Sequence, residues 1–159
     1  MTPATVMKKC NTDDKESTLT FREMMKCMKK NNVTKQDRKE AGNILLKYAY
    51  INTTRIPYIA EGVEKATHGR VSESAALAGI NACNTNNDTK LVWNETKACL
   101  LKHKDALGIG NQNTWNEIKW YLSRSAEIDL KGLKKAEDAA KEEWILLKLI
   151  YRKNRACIL

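Results

Sequence analysis

Residues 10–30 read CNTDDKESTLTFREMMKCMKK, and residues 83–102 read CNTNNDTKLVWNETKACLLK. Both stretches begin with Cys-Asn-Thr and, with a one-residue gap, they match at several further positions. These positions pair Leu19 with Leu91, Phe21 with Trp93, Glu23 with Glu95, Cys27 with Cys99 and Lys30 with Lys102. The match predicts a tandem duplication of about 73 residues within a single domain covering 1–159. Repeat 1 would span 10–82 and repeat 2 would span 83–157.

The cysteine spacing supports the same duplication and limits how the five cysteines pair. Sixteen residues separate the first two cysteines and 15 separate the third from the fourth, whereas the two longer intervals hold 55 and 57 residues. Equivalent cysteines should pair in equivalent ways, which leaves two schemes. One joins Cys10–Cys27 and Cys83–Cys99, and the other joins Cys27–Cys83 and Cys99–Cys157. We expect the second scheme, because the longer closed loop restricts the unfolded chain more, by about 4 kcal/mol.

The hydrophobic pattern is that of a helical protein. Apolar residues recur at three- and four-residue intervals, Gly and Pro are scarce, and no segment alternates with a period of two. We therefore predict an all-α, compact, disulfide-linked bundle of six to eight helices. Thr34 followed by Asp37 predicts one helix start, Thr114 followed by Glu117 predicts another, and Asp129 is suited to cap the last helix.

The last helix carries an apolar stripe and a basic stripe. The apolar side predicts that Trp144 fills the centre of the core. The basic stripe consists of Lys134, Lys141, Lys148, Arg152 and Arg155. With a net charge of +9, this stripe predicts a binding surface for an acidic protein or an anionic polymer such as a heparin-like glycan. Trp120 falls off the apolar face of its own helix and is predicted to be an exposed interface anchor.

The composition places the chain in the soluble globular class. It has 159 residues, is 42% hydrophobic and 30% charged, and has a mean hydropathy of −0.57. The longest nearly apolar run is too short for a transmembrane segment. Four Asn-x-Thr sequons, at Asn32, Asn52, Asn87 and Asn94, together with the cysteines predict a secreted glycoprotein. Residues 1–6 lack the apolar core of a signal peptide, so we expect that Met1 replaces a cleaved leader.

The residues of enzyme and metal sites are not arranged in any known motif. The two histidines, His68 and His103, lie far from cysteines at zinc-ligand spacing, and no phosphate-binding loop or nucleophile motif occurs. We therefore expect a protein without catalytic activity, metal or cofactor. Secretion also argues against nucleic acid as the partner, and no aromatic platform of a nucleic-acid-binding fold is present.

Two alternatives to a protein-binding surface are open at this point. Trp115, Tyr121, Trp144 and Tyr151 could line an internal pocket for a small ligand such as a biogenic amine or a lipid. The chain could also be a structural or storage secretion without a ligand. A cavity shared by the four aromatic residues would favour the pocket.

Residues 21–30, Phe-Arg-Glu-Met-Met-Lys-Cys-Met-Lys-Lys, resemble the cysteine-bearing helices of small secreted salivary proteins of blood-feeding insects. The D7 and odorant-binding-like proteins are the best known of these, although this chain lacks their Cys-x3-Cys and Cys-x8-Cys pairs. The resemblance implies a salivary effector that interferes with host haemostasis, inflammation or complement by binding.

Overall fold

A computed structural model describes the backbone of residues 3–12, 18–85 and 87–158, and the side chains of 4–10, 18–85 and 87–144. In those ranges the chain forms eight α-helices, four short strands and one 3₁₀ turn. The helices are α1 (Pro3–Thr12), α2 (Phe21–Lys30), α3 (Lys35–Lys47), α4 (Ile56–Ala66), α5 (Glu73–Asn81), α6 (Trp93–Lys102), α7 (Gln112–Ser125) and α8 (Leu130–Ile158). The strands are β1 (Thr18–Thr20), β2 (Tyr50–Asn52), β3 (Lys90–Val92) and β4 (Ala126–Asp129), and the 3₁₀ turn is Thr53–Arg55.

The strands form one antiparallel sheet in the order β1-β4-β2-β3, so the all-α prediction is wrong, although the fold is mostly helical as predicted. Each strand has only three or four residues, which is too short for a period of two to be recognised in a sequence. One face of the sheet is buried through Leu19, Ile51, Leu91 and Ile128. The other face, called the outer sheet face here, remains partly exposed.

The order of elements along the chain occurs twice. Helix, strand, helix, helix, strand and helix follow one another from α1 to α4 and again from α5 to α8. Buried side chains from the end of the third helix to the following strand have identical spacing in the two halves. They are Leu45, Ala49 and Ile51 in the first half and Leu122, Ala126 and Ile128 in the second.

The interior consists of two hydrophobic clusters, and each draws on both halves of the chain. The first cluster contains buried residues of α1, β1, α2 and α3, together with Ile128 and the first turns of α8. The second contains buried residues of β2, α4, α5, β3, α6 and α7. The last strand and helix of each half therefore complete the core of the other half. The sheet joins the two clusters.

Two of the three predicted helix starts are confirmed. The Thr34 hydroxyl accepts a hydrogen bond from the amide of Asp37 at 3.1 Å, and Asp129 Oδ1 accepts one from the amide of Gly132 at 2.7 Å. The start at Thr114 is wrong, because α7 begins earlier and Asn111 caps it by accepting a bond from the amide of Thr114 at 2.9 Å. Asparagine is among the strongest N-cap residues, which accounts for the earlier start.

The disulfides are Cys10–Cys27 and Cys83–Cys99, each with a Cα–Cα distance of 5.9 Å. The expected pairs Cys27–Cys83 and Cys99–Cys157 are therefore wrong. Cys27 packs against the first hydrophobic cluster and Cys83 against the second, so the fold holds these two cysteines in different cores. Loop entropy stabilises only a bond that the native geometry allows. The side chain of Cys157 lies outside the described residues.

The prediction that Trp144 fills the core is also wrong, because 39% of its surface is exposed. The buried positions of α8 are Leu133, Ala136 and Ala140. α8 packs on α1 and α3 through these residues, two of which are small. The buried stripe of the described part of α8 thus ends one turn before Trp144.

Candidate functional site: a basic groove beside Trp120

A groove of about 480 Å³ lies between α2, the start of α4 and the end of α7. Its lining side chains are Thr20, Arg22, Glu23, Lys26, Arg55, Tyr58 and Arg124. We call it the α2–α7 groove. Four of these side chains are cationic and one is a carboxylate, so the lining carries a clear excess of positive charge.

Local capping places the cations of this groove. The Thr20 hydroxyl caps α2 by accepting a hydrogen bond from the amide of Glu23 at 3.1 Å. Arg22 and Lys26 follow in α2 with a spacing of four residues, which puts them on one side of the helix. Arg55 ends the 3₁₀ turn, which Asn52 caps by accepting a bond from the amide of Thr54 at 3.0 Å.

Three of the four groove cations form no ion pair within the described part of the chain. The ion pairs in the described part of the chain join Lys47 to Glu143 and Lys65 to Glu61. Arg22, Lys26 and Arg55 take part in neither pair, and all three are exposed. Their charge is therefore available to a bound anion.

An ordered aromatic cluster borders the groove. Trp120 is 48% exposed, as predicted, and the guanidinium carbon of Arg124 lies 3.7 Å from the centre of its ring. Tyr121 contacts Trp120 edge-on with ring centres 4.9 Å apart, and Tyr58 contacts Tyr121 with ring centres 5.2 Å apart. The exposed indole is thus held in place by two neighbours. Holding it in advance lowers the entropy cost of using it in an interface.

The aromatic cluster packs against a glycine of α4. Gly62 is buried in the middle of α4, directly under the ring of Tyr121. A Cβ atom at this position would lie closer than 3.0 Å to three carbons of that ring. Gly62 therefore lets Tyr121, and with it Trp120, lie close to α4.

The predicted basic stripe of α8 differs from the groove in its charge balance. Lys134 and Lys141 are exposed, but Glu137 lies between them on the same helix. Partial burial raises the pKa of Glu137, while Lys141, Lys8 and Lys134 lower it without cancelling that effect. These lysines therefore have a carboxyl group as a neighbour. The side chains of Lys148, Arg152 and Arg155 lie outside the described residues.

The four aromatic residues predicted to line a pocket are not brought together where the structure describes them. Trp115 is 7% exposed and belongs to the second hydrophobic cluster, whereas Trp144 is on α8, which packs on α1 and α3. Tyr121 is half-buried beside Trp120. The side chain of Tyr151 lies outside the described residues.

The sequon asparagines lie at or near the surface. Asn32, Asn87 and Asn94 are exposed, and Asn52 is partly buried. Asn32 and Asn87 have positive φ angles of 62° and 52°, which are typical of asparagine in tight turns. Asn52 uses its side-chain oxygen to accept bonds from the amide and hydroxyl of Thr54. Glycosylation of these residues remains a prediction.

The described ranges hold neither a metal-binding cluster nor a membrane-spanning helix. No group of three or more His, Cys, Asp or Glu side chains there is arranged to hold a metal ion. None of the helices there combines the length and the apolar character needed to cross a membrane.

The sequence prediction identified Trp120 but missed the cations around it. Arg124 follows Trp120 by four residues on α7, and that spacing could have indicated the stacked pair. Arg22, Lys26 and Arg55 come from distant parts of the chain, and no local pattern connects them. Tyr58 was missed for the same reason.

No protein-family model matches the chain, and comparisons with curated proteins and with solved structures find no significant similarity.

Proposed function

We propose that this protein is a secreted, non-enzymatic binding protein that takes an acidic segment of a partner protein into the α2–α7 groove. The observation that carries the proposal is the excess of cations in the groove, four against one carboxylate, beside an ordered and exposed tryptophan. The basic surface of the proposal thus lies on α2, the 3₁₀ turn and α7, rather than along α8.

The types of side chain favour carboxylate ligands presented by a protein. Arginine offers a planar fork of donors that matches a carboxylate in a bidentate way, and the groove has three arginines. Tryptophan and arginine are also the residues most enriched among those that dominate protein interfaces. Trp120 would anchor the partner while the arginines select an acidic stretch of it.

Charge reversal in the groove tests this proposal. The variant Arg22→Glu with Lys26→Glu changes two exposed side chains and leaves the aromatic cluster intact. We expect it to weaken binding of a polyglutamate peptide by about tenfold or more, since each buried or partly buried charge contact contributes on the order of 1 kcal/mol. Isothermal titration calorimetry at low and moderate salt measures the dissociation constant, and the affinity should fall as salt rises.

The matched control is Lys134→Glu with Lys141→Glu, which makes the same change in net charge on α8. We expect less than a twofold effect from it. Equal losses in the two variants would show a general effect of charge and overturn the proposed site. Tight retention on heparin that the groove variant loses, without measurable peptide binding, would favour a sulfated glycan and overturn the protein partner.

Secretion and the salivary role are part of the same proposal. Two disulfides are typical of proteins that fold in an oxidising compartment. The exposed sequons at Asn32, Asn87 and Asn94 fit that compartment. Interference with host haemostasis, inflammation or complement is proposed on the class resemblance, and expression in salivary glands would test it.

We also propose that the chain arose by tandem duplication of one unit. The repeated order of elements and the equivalent disulfides support it. In this proposal the units begin at α1 and α5, so their boundary lies near residues 69–72 rather than at 82. Cys10 and Cys83 then occupy equivalent places, each next to the end of the first helix of its unit.

The two alternatives receive less support. A small-ligand pocket among Trp115, Tyr121, Trp144 and Tyr151 would need Trp115 and Trp144 on one cavity, and they lie on helices that pack into different clusters. A storage or structural role offers no reason for the ordered stack of Arg124 on Trp120.

A further inference from the structure

A second basic groove, of about 300 Å³, lies between the end of α3, the sheet and the start of α8. Its cations are Lys47, Lys131 and Lys135. We call it the α3–α8 groove. The register of the sheet relates the position of this groove to the position of the α2–α7 groove.

Tyr50 of β2 and Glu127 of β4 face each other at the centre of the sheet. On either side, Thr20 of β1 pairs with Glu127, and Val92 of β3 pairs with Tyr50. A pseudo-two-fold axis between Tyr50 and Glu127 therefore exchanges β1 with β3 and β2 with β4. Thr20 lines the first groove and Val92 lines the second.

The same exchange relates a cation of each groove. Arg124 follows the buried Leu122 by two positions near the end of α7, and Lys47 follows the buried Leu45 by two positions at the end of α3. Arg124 lines the first groove and Lys47 lines the second. The two grooves thus share related walls, namely the paired strand position, the end of α7 or α3 and the start of α4 or α8, although α2 lines the first groove and α6 does not line the second.

Both grooves open beside the outer sheet face, and one row of residues connects them. The row runs Thr20, Glu127, Tyr50, Val92 across the four strands. Neighbouring strands are about 4.8 Å apart, so the ends of this row are separated by about 14 Å. An extended peptide covers about 3.4 Å per residue, so about four or five residues span the distance.

The second groove has positive charge available for a ligand. Lys131 and Lys135 are exposed and enter neither ion pair of the described chain. Lys47 lies 4.0 Å from Glu143, but both side chains are more than half exposed, so the pair is weak. Asp129 is occupied in capping α8 through the amide of Gly132.

The middle of the row carries a negative charge, in contrast to the positively charged grooves at its two ends. Glu127 lies between the two grooves on the outer sheet face, next to Tyr50. Lys90 lies with its ammonium group 4.5 Å from the centre of the Tyr50 ring, so one cation beside the row partly offsets the carboxylate. A ligand that crosses this row is better accommodated if its central residues carry no negative charge.

We propose that the two grooves act together and bind one acidic segment in which two anionic clusters are separated by an uncharged spacer of about five residues. The proposal rests on the proposed function of the α2–α7 groove and adds the form of the ligand. The affinity rises because the two anionic clusters are linked in one ligand. When the first groove holds one anionic cluster, the effective concentration of the other at the second groove increases.

Three synthetic peptides test this form: one polyglutamate cluster, two clusters joined by about five Gly and Ser residues, and a continuous polyglutamate of the same length. We expect the two-cluster peptide to bind about tenfold more tightly than the single cluster. It should also bind more tightly than the continuous peptide, whose central charges meet Glu127.

Variants separate the two proposals. Lys131→Glu with Lys135→Glu should abolish the gain of the two-cluster peptide and leave the affinity for the single cluster within twofold. Lys102→Glu with Lys104→Glu, two exposed lysines that line neither groove, is the matched control and should change neither value.

Equal affinity of the two-cluster and single-cluster peptides would overturn the two-groove proposal and leave the proposed function standing. If the single cluster fails to bind the wild-type protein at all, both proposals are wrong.

Discussion

Gly62 of α4 lies directly against the ring of Tyr121 of α7, closer than any side chain at that position would permit. This contact sets the distance between the two helices at the point where Tyr121 supports Trp120. The position of the candidate binding residue thus depends on a glycine that precedes it by almost sixty residues in the chain.

Replacement Gly62→Ala should therefore destabilise the fold by about 1–3 kcal/mol, because the added methyl group must displace an aromatic ring in a packed interface. Thermal or urea unfolding monitored by circular dichroism measures the loss. Gly110→Ala is the control, since no atom lies within 4 Å of the added Cβ there. The double variant Gly62→Ala with Tyr121→Ala should lose less stability than the sum of the two single losses, because the clash is absent from it. A loss of equal size at Gly62 and Gly110 would contradict this contact.

The stack of Arg124 on Trp120 should affect ligand binding more than stability. An exposed cation–π contact contributes about 0.5–1 kcal/mol, so Arg124→Met should change the melting temperature by only a few degrees. We expect a larger effect on the dissociation constant of the polyglutamate peptide, about tenfold for Trp120→Ala or Arg124→Met. Trp120→Phe, which keeps an aromatic face, should retain most of the affinity. Unchanged peptide binding in Trp120→Ala would remove Trp120 from the site.

The two disulfides close loops of almost equal length, with sequence separations of 17 and 16 residues. Removing either one, as Cys10→Ser with Cys27→Ser or as Cys83→Ser with Cys99→Ser, should cost about 3 kcal/mol because the unfolded chain regains similar freedom. Chemical denaturation measures both costs. Peptide mapping without reduction should find Cys10 linked to Cys27 and Cys83 linked to Cys99, and a peptide linking Cys27 to Cys83 would contradict the fold.

Glu137 makes stability depend on pH. Its pKa is raised above the usual value, mainly by partial burial, so the folded state holds the proton more tightly than the unfolded state does. The stability associated with the protonated carboxyl group is fully present below the unfolded pKa of about 4.5 and is lost as the pH rises through the folded pKa.

The variant Glu137→Gln should therefore be more stable than the wild type at pH 7, and the difference should vanish at about pH 4. Melting temperatures measured across that range give the comparison. Glu117→Gln, an exposed position on α7, is the control for the loss of one carboxylate. A stability difference for Glu137→Gln that is independent of pH would contradict the role of burial.

Local features of the fold were predictable because they depend on neighbours in sequence. The caps at Thr34 and Asp129 follow from a hydroxyl or carboxylate placed just before a helical pattern, and both are confirmed. The exposure of Trp120 followed from its angle around α7, and it is also confirmed. Trp144 was misjudged by the same method, because helical periodicity shows which side of α8 is apolar but not where the neighbouring helices stop covering it.

The sequence by itself determined that the fold is mostly helical, two of the three predicted helix starts and the two short intervals between cysteines. Only the tertiary structure decided which cysteines pair and that four very short strands form a sheet. It also decided that α2, the 3₁₀ turn and α7 bring Arg22, Lys26, Arg55 and Arg124 to one groove. The physical reason is the range of the interactions. Capping and helical periodicity act over three or four residues. The sheet register and the charge of the groove depend instead on residues that meet only when the two halves pack together. The same holds for the packing of β2 and α4 into the core of the second half, and of β4 and α8 into the core of the first.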